Sequence, residues 1–186
     1  MKFDSYDIDN APEASRQDMR NAEKSYGTNL YLLRGLAASP AALKAYLAIA
    51  GALREYGNLS PVEQQVVYIT VSAENGCTYC VAAHSTMAVR VKMADDVRNA
   101  LREQRPLPDA KLDALRNFTL SVMKHKGFVP PADLAAFEAA GFDQAHVLDV
   151  LTILAQKTIS NYYNHMAEPP LDAMFQAQQW QRPAQG

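Results

Sequence analysis

Leu59 to His84 reads LSPVEQQVVYITVSAENGCTYCVAAH, and whether its apolar middle is helix or strand decides the fold class. Val66 to Val71 is rich in Val, Ile and Tyr, which suits a strand. Two features favour a helix. Ser60-Pro61-Val62-Glu63 is a capping box: the Ser60 and Glu63 side chains satisfy each other's free backbone donors, and Pro61 takes the first helical position. The run from this cap to the Asn75-Gly76 stop is also longer than the roughly 4–8 residues of a strand. A largely buried helix is predicted, with Glu63 assigned to its cap rather than to catalysis. A second helix follows from about Cys77 to Val91, so the turn joins the two into an antiparallel helical hairpin.

The same grammar runs through the chain on both sides. Ser39-Pro40 opens a helix to about Tyr56, stopped by Gly57. Asp95 to Arg105 reads as helical, and Asp109 caps a helix ending at His125-Lys126-Gly127. Pro130-Pro131 opens a short helix stopped by Gly141, and Asp143 caps a long apolar helix reaching about Tyr163. Pro169-Pro170 precedes a terminal helix through Trp180, and Arg182 to Gly186 reads as frayed. The expectation is an all-α chain forming one domain over 1–186, with its core at about 12–180. At 186 residues and 48% hydrophobic content, such a domain buries a substantial core without a staple.

Charge narrows the class. Net charge is -2 with the signs interspersed, which lacks the basic footprint of a nucleic-acid or anionic-membrane binder. No run of about 18 apolar residues occurs, and Met1 to Arg16 has no basic segment followed by an apolar one. The chain is expected to be soluble and cytoplasmic, with small molecules or proteins as partners.

Cys77 and Cys80 are the only cysteines, and His84 follows the second by four positions. Cys77, Cys80 and His84 fall at i, i+3 and i+7, one face of an α-helix, with Cys80 and His84 in direct i, i+4 contact. A structural disulfide does not suit a compartment that keeps thiols reduced. Zinc wants four ligands where the motif supplies three, and His125, His146 and His165 are scattered, so no metal and no cofactor is expected. A Cys/His acyl-transfer dyad leaves one cysteine idle. Thiol redox chemistry uses all three groups. Spacing does not choose the nucleophile: the helix dipole acts most on Cys77, whereas His84 lies beside Cys80. The other histidines read as structural or surface residues, with His165 notable for its polar setting, Asn161 to His165.

Leu59-Ser60-Pro61, the apolar helix to Ser72, Asn75-Gly76-Cys77-Thr78-Tyr79-Cys80 and His84 together resemble the alkylhydroperoxidase D-like branch of the carboxymuconolactone decarboxylase family. Tyr26 to Leu30, Ser39-Pro40, the Gly141 region and Asn161 to Asp172 extend the likeness over roughly 12–180. The resemblance implies an all-α alkylhydroperoxidase-like fold, a homo-oligomer, and hydroperoxide reduction through a redox-active Cys77–Cys80 disulfide. It assigns Cys80 to peroxide attack, Cys77 to resolving the sulfenic acid, and His84, directly or through a water, to taking the Cys80 proton. The implied partners are a hydroperoxide substrate and a dithiol reductant, either a lipoylated or a thioredoxin-like protein. Apolar stretches at Val62 to Ala73 and Val147 to Leu154 also motivate the oligomer. The alternative from another class is a redox-responsive CxxC binding or scaffold protein with little turnover. Lactone decarboxylation needs no cysteine pair.

One position departs from the pattern. Peroxidase-type relatives carry a glutamate twelve residues before the first motif cysteine, where this chain has Gln65. Glutamine can orient an imidazole but cannot take its proton. Tyr79 has two readings, a hydrogen-bond donor to the peroxide or thiolate and a packing residue. If Gln65 stands in the relay position, Gln65→Glu is expected to raise the His84 pKa and with it peroxide turnover. A pH-rate profile and thermal melts of both proteins check this, since lower turnover with a lower melting temperature would place Gln65 in packing.

Overall fold

The computed structural model describes residues 2–183, and among them it contains helices and no strands. Nine α-helices follow one another: α1 Glu13–Tyr26, α2 Tyr31–Leu36, α3 Pro40–Tyr56, α4 Pro61–Glu74, α5 Thr78–Arg90, α6 Asp95–Arg102, α7 Ala110–His125, α8 Pro131–Ala139 and α9 Gln144–Ala167. A 3₁₀ helix, Ala173–Gln178, closes the described chain. No helix among the described residues is long and apolar enough to cross a membrane.

α4 is the axis of the fold, because Gln65 through Ala73 are all buried. An apolar helix with no solvated face has to be surrounded, and α5, α6, α7 and α9 surround it. This packing overrides the weak helix propensity of Val66, Val67, Ile69 and Val71. The capping box forms as read: the Ser60 hydroxyl accepts from Glu63 N at 3.3 Å and Glu63 Oε2 accepts from Ser60 N at 2.8 Å. Glu63 Oε1 also pairs with Lys111 of α7 at 2.7 Å. At the far end Gly76 takes φ 71°, a left-handed turn that suits glycine, and Cys77 N donates to Ser72 O at 2.9 Å. α5 thus turns back along α4.

Two apolar clusters divide the interior. The larger joins α4 to α6, α7 and α9 through Val67, Ile69, Leu101, Leu115, Phe118 and Ile153. The second joins α1, α2 and α3 to the start of α5 and to Phe175, and it holds Cys77 and Cys80. The helices α1 and α2 lie in the segment for which the sequence offered no element. Ser15, Met19 and Ala22 form the buried stripe of α1, too sparse among charged neighbours to be legible. At Gly35 in α2, an added Cβ would fall 1.7 Å from the Tyr163 hydroxyl, so a larger residue there would have to displace the Tyr163 ring of α9.

Three expected boundaries move, each for a packing reason. α6 stops at Arg102 rather than Arg105, because Gln104 adopts φ 56° and Arg105 N bonds back to Ala100 O at 2.9 Å. α9 runs past Tyr163 to Ala167, since Asn161 and Asn164 turn inward instead of ending the helix. The terminal helix is 3₁₀, with Phe175 the one buried residue of its six, which leaves no apolar stripe to sustain α-helical turns. Of the tail expected to fray, Arg182 Nη2 bonds Glu74 O at 3.3 Å, and residues 184–186 lie outside the described part.

The start of the hairpin is tied to α9 by one carboxylate. Asp149 Oδ2 accepts from Asn58 N at 2.5 Å and from buried Leu59 N at 2.9 Å, just ahead of α4. Asp149→Ala should therefore cost about 1–3 kcal/mol by leaving the Leu59 donor unpaired, whereas Asp149→Asn keeps an acceptor there and costs less. Thermal melts should show the alanine variant several degrees below wild type, with the asparagine variant between them.

Candidate active site

Cys77 is the N-cap of α5 and Cys80 sits in its first turn, so the helix start brings the two sulfurs together. Both residues are buried and both are free thiols. Cys80 N–H donates to Cys77 Sγ at 3.4 Å. From α9, Asn164 Nδ2 reaches both sulfurs, Cys80 Sγ at 3.3 Å and Cys77 Sγ at 3.8 Å. Asn161, one turn earlier, accepts from Asn75 Nδ2 through Oδ1 at 2.9 Å, and its own buried Nδ2, beyond regular hydrogen-bond distance of any acceptor, still acts on Cys80.

The two sulfurs are not equivalent. Cys77 is held far above the usual thiol range, first by donating its S–H to Cys80 and then by burial. Burial also pushes the Cys80 thiol up, but the Cys77 S–H, the Lys157 charge and the amides of Asn164 and Asn161 outweigh it and bring Cys80 down to about 6. The Cys80 N–H at Cys77 Sγ works the other way, yet it is one long contact against three donors and a cation. The pair thus shares one proton, which resides on Cys77.

His84 lies one turn beyond Cys80 but does not bond to it. Its Nδ1 is 3.0 Å from Gln65 Oε1 and its Nε2 is 3.0 Å from Lys157 Nζ. The two keep the i, i+4 spacing on one helical face without a hydrogen bond between them, because both ring nitrogens are engaged by other helices. The ring stacks on Tyr68 with centroids 4.2 Å apart and planes 7° apart. Burial first and the Lys157 charge second hold the imidazole well below its ordinary pKa, so it is neutral at pH 7.

Tyr79 does not face the sulfurs. Its hydroxyl donates to Asp172, its ring packs edge-on against Phe175, and Asp172 also accepts from Tyr31 N at 3.3 Å. This ties α5 to α2 and the 3₁₀ helix, which is the packing reading of Tyr79. His125 bonds Ser121 and His146 completes the Asp143 capping box. His165 is exposed and lines, with Cys77, Asn164 and Glu168, a depression of about 370 Å³. No group of three or more His, Cys, Asp or Glu that could hold a metal occurs among the described residues.

The residues the sequence reading missed are on α9. Lys157, Asn161 and Asn164 sit at i, i+4 and i+7, the spacing of one helical face, and all are buried. Lys157 is 1% exposed and lies 5.7 Å from the Tyr68 ring centre. A lone lysine between Leu148 and Met166, in phase with two asparagines, was the available signal. A cavity of about 300 Å³ reaches His84 between Gln65, Tyr46, Tyr68 and Tyr26, with Arg54 and Arg90 also lining it. Small molecules thus have one approach beside His84 and another beside Cys77.

Residues 40–116 match the Carboxymuconolactone decarboxylase family. A crystal structure of an alkylhydroperoxidase AhpD core protein, described as an uncharacterized peroxidase-related protein from Ralstonia eutropha JMP134, is 24% identical, with a TM-score of 0.82 over 94% of this chain and 93% of that one. A peroxidase-related protein from Silicibacter sp. TM1040 superposes with a TM-score of 0.79 at 19% identity, over 95% of each chain. The debrominase Bmp8, crystallised as a cysteine-to-alanine variant with 2,3,4-tribromopyrrole, gives 0.78 at 13% identity, over 96% of this chain and 95% of that one. No curated protein matches the chain. These matches bear out the alkylhydroperoxidase D-like resemblance and the all-helical fold.

The depressed Cys80 pKa carries a stability consequence. Unfolded, a thiol titrates near 8.5; folded, Cys80 titrates at about 6. The folded state therefore binds fewer protons between these values, so the contribution is fully present above about 8.5 and is lost as pH falls through about 6. The reduced protein should show a thiolate absorbance step at 240 nm near pH 6. Its stability should rise from pH 5 to 8.5 by of order 2–3 kcal/mol, a rise that Cys80→Ser removes.

Proposed function

We propose that the chain is a thiol-dependent hydroperoxide reductase that cycles through a Cys77–Cys80 disulfide. The observation that carries this reading is the shared cradle of the two sulfurs, one helical turn apart at the start of α5, with Asn164 donating to both. An anionic sulfur and a protonated one in contact are what a two-step thiol oxidation requires. The Cys80 thiolate attacks the terminal oxygen of ROOH, the S–O bond forms as O–O breaks, and the alkoxide takes up a proton to leave as ROH. Cys77 then attacks the Cys80 sulfur, its proton leaves with the hydroxyl as water, and the disulfide forms. A dithiol donor returns both electrons, restoring Cys77–SH and the Cys80 thiolate and releasing one proton.

A second electrophile suits the same pair. The rings of Tyr46, Tyr68 and His84 line one approach, and the debrominase Bmp8 shares the fold. With a haloaromatic as substrate of this chain, the Cys80 thiolate takes the halogen, the ring carbanion gains a proton, and Cys77 attacks the Cys80 sulfur, releasing halide and its own proton to form the same disulfide. Peroxide is preferred here because two of the structural neighbours are described as peroxidase-related.

Assembly into a homo-oligomer belongs to this reading with altered support. Val62 to Ala73 is almost wholly consumed by the chain's own core, whereas Leu148 and Leu151 on α9 are 54% and 43% exposed. The oligomer face is therefore assigned to α9, not α4.

Peroxide consumption with lipoyl and thioredoxin-like donors, beside bromide release from a bromopyrrole, tests the activity. Cys80→Ser should lower turnover roughly a hundredfold or more. Cys77→Ser should permit one attack and trap Cys80 as a sulfenic acid, detected as a dimedone adduct by mass spectrometry. An adduct on Cys77 in the wild type reverses the two roles, and bromide release without peroxide consumption selects the second electrophile.

A further inference from the structure

Lys157 presents a charge without an evident counter-ion. It is 1% exposed, and its one hydrogen bond is to His84 Nε2 at 3.0 Å. Burying an ammonium this deeply is costly unless an anion or several acceptors compensate it. The three buried carboxylates among the described residues are committed elsewhere. Glu63 pairs with Lys111, Asp149 holds Asn58 and Leu59, and Asp172 holds Tyr79 and Tyr31. The titratable groups around Lys157 are Tyr68 from α4, Cys80 and His84 from α5, and Cys77 at the turn, with Tyr46 from α3 acting on Cys80 and Tyr68. Both tyrosines are held above their ordinary range by burial. The thiol pair is the one remaining source of an anion.

The hydrogen bonds then determine the state of His84. An ammonium only donates, so His84 Nε2 must accept from Lys157. The ring proton is consequently on Nδ1 and goes to Gln65 Oε1, 3.0 Å away. The reverse amide orientation would present a donor to a nitrogen that already carries a proton. An imidazole in this state has no free lone pair with which to take a thiol proton.

We propose that Lys157 is the counter-ion of the Cys80 thiolate, and that His84 is a positioning residue, locked as the neutral Nδ1–H tautomer between Gln65 and Lys157, which aims the ammonium at the sulfur. This rests on reading Cys80 as the reacting thiolate. It explains how the chain manages without a glutamate at position 65: a relay carboxylate charges the imidazole, whereas here a buried lysine supplies the charge and a neutral amide holds the ring. It also reverses the expectation for Gln65→Glu, because a carboxylate beside the ring competes with the sulfur for the same cation.

The first two measurements need neither peroxide nor turnover, so their failure is distinct from failure of the peroxidase reading. The reduced protein is titrated by thiolate absorbance at 240 nm as wild type and as Lys157→Met, which keeps the volume and removes the charge. The Met variant should titrate about one pKa unit or more higher; an unchanged midpoint overturns the proposal. Long-range ¹H–¹⁵N spectra of the wild-type histidines do not depend on any variant folding. They should report the Nδ1–H tautomer of His84 without titration between pH 5 and 8, and an Nε2–H tautomer or a charged ring overturns it. Gln65→Glu should lower turnover roughly tenfold, and a gain in turnover returns the proton-accepting role to His84.

Discussion

An ammonium sealed in the interior without a carboxylate is the constraint around which the site is organised. Lys157 reaches the core from α9, and each neighbour it touches is committed by its presence. The His84 ring has to accept, Gln65 has to accept from the ring, and a sulfur is left to carry the compensating charge. A well-packed apolar residue at this position would be at least as stable. The cation therefore makes sense as a device for holding a thiolate, not for holding the fold. In a low-dielectric surround its influence on a nearby sulfur is far stronger than it would be in water.

The fold places this device where three helices can address it independently. α4 lies inside the bundle and presents Gln65 and Tyr68, α5 contributes both sulfurs and His84, and α9 supplies Lys157, Asn161 and Asn164. The larger apolar cluster fixes α4 against α9, and the second packs α1, α2 and α3 over the start of α5. The sulfurs belong to the second cluster, while Tyr68 belongs to the first. The site is thus a polar seam between two dry cores, and this excludes water from the sulfurs while cavities approach beside His84 and beside Cys77.

The same dithiol cradle is compatible with more than one electrophile. Nothing in Asn164, Lys157 or Cys77 reads the leaving group; these groups stabilise one sulfur as an anion and hold its partner in contact. Of the two cavities near the site, the one beside His84 is lined by three tyrosines and two arginines, and the other borders Cys77.

The amino-acid sequence by itself determined the helical grammar. Ser39, Ser60, Asp109 and Asp143 each cap the helix they were read to cap, because a cap is satisfied within four residues of chain and owes nothing to distant packing. The i, i+3, i+7 face of Cys77, Cys80 and His84 was legible for the same reason. Tertiary structure alone decided what that face meets. Lys157 is more than seventy residues from His84 in the chain, yet 3.0 Å away in space, and it engages the ring in a Lys157–His84–Gln65 line that the spacing does not reveal. The inward turn of Asn161 and Asn164 was hidden likewise, because polar residues after an apolar run look locally like a helix end. Whether such residues face solvent or a buried sulfur depends on the rotation of α9 against α4 and α5, which is fixed by close packing between segments that no local pattern connects.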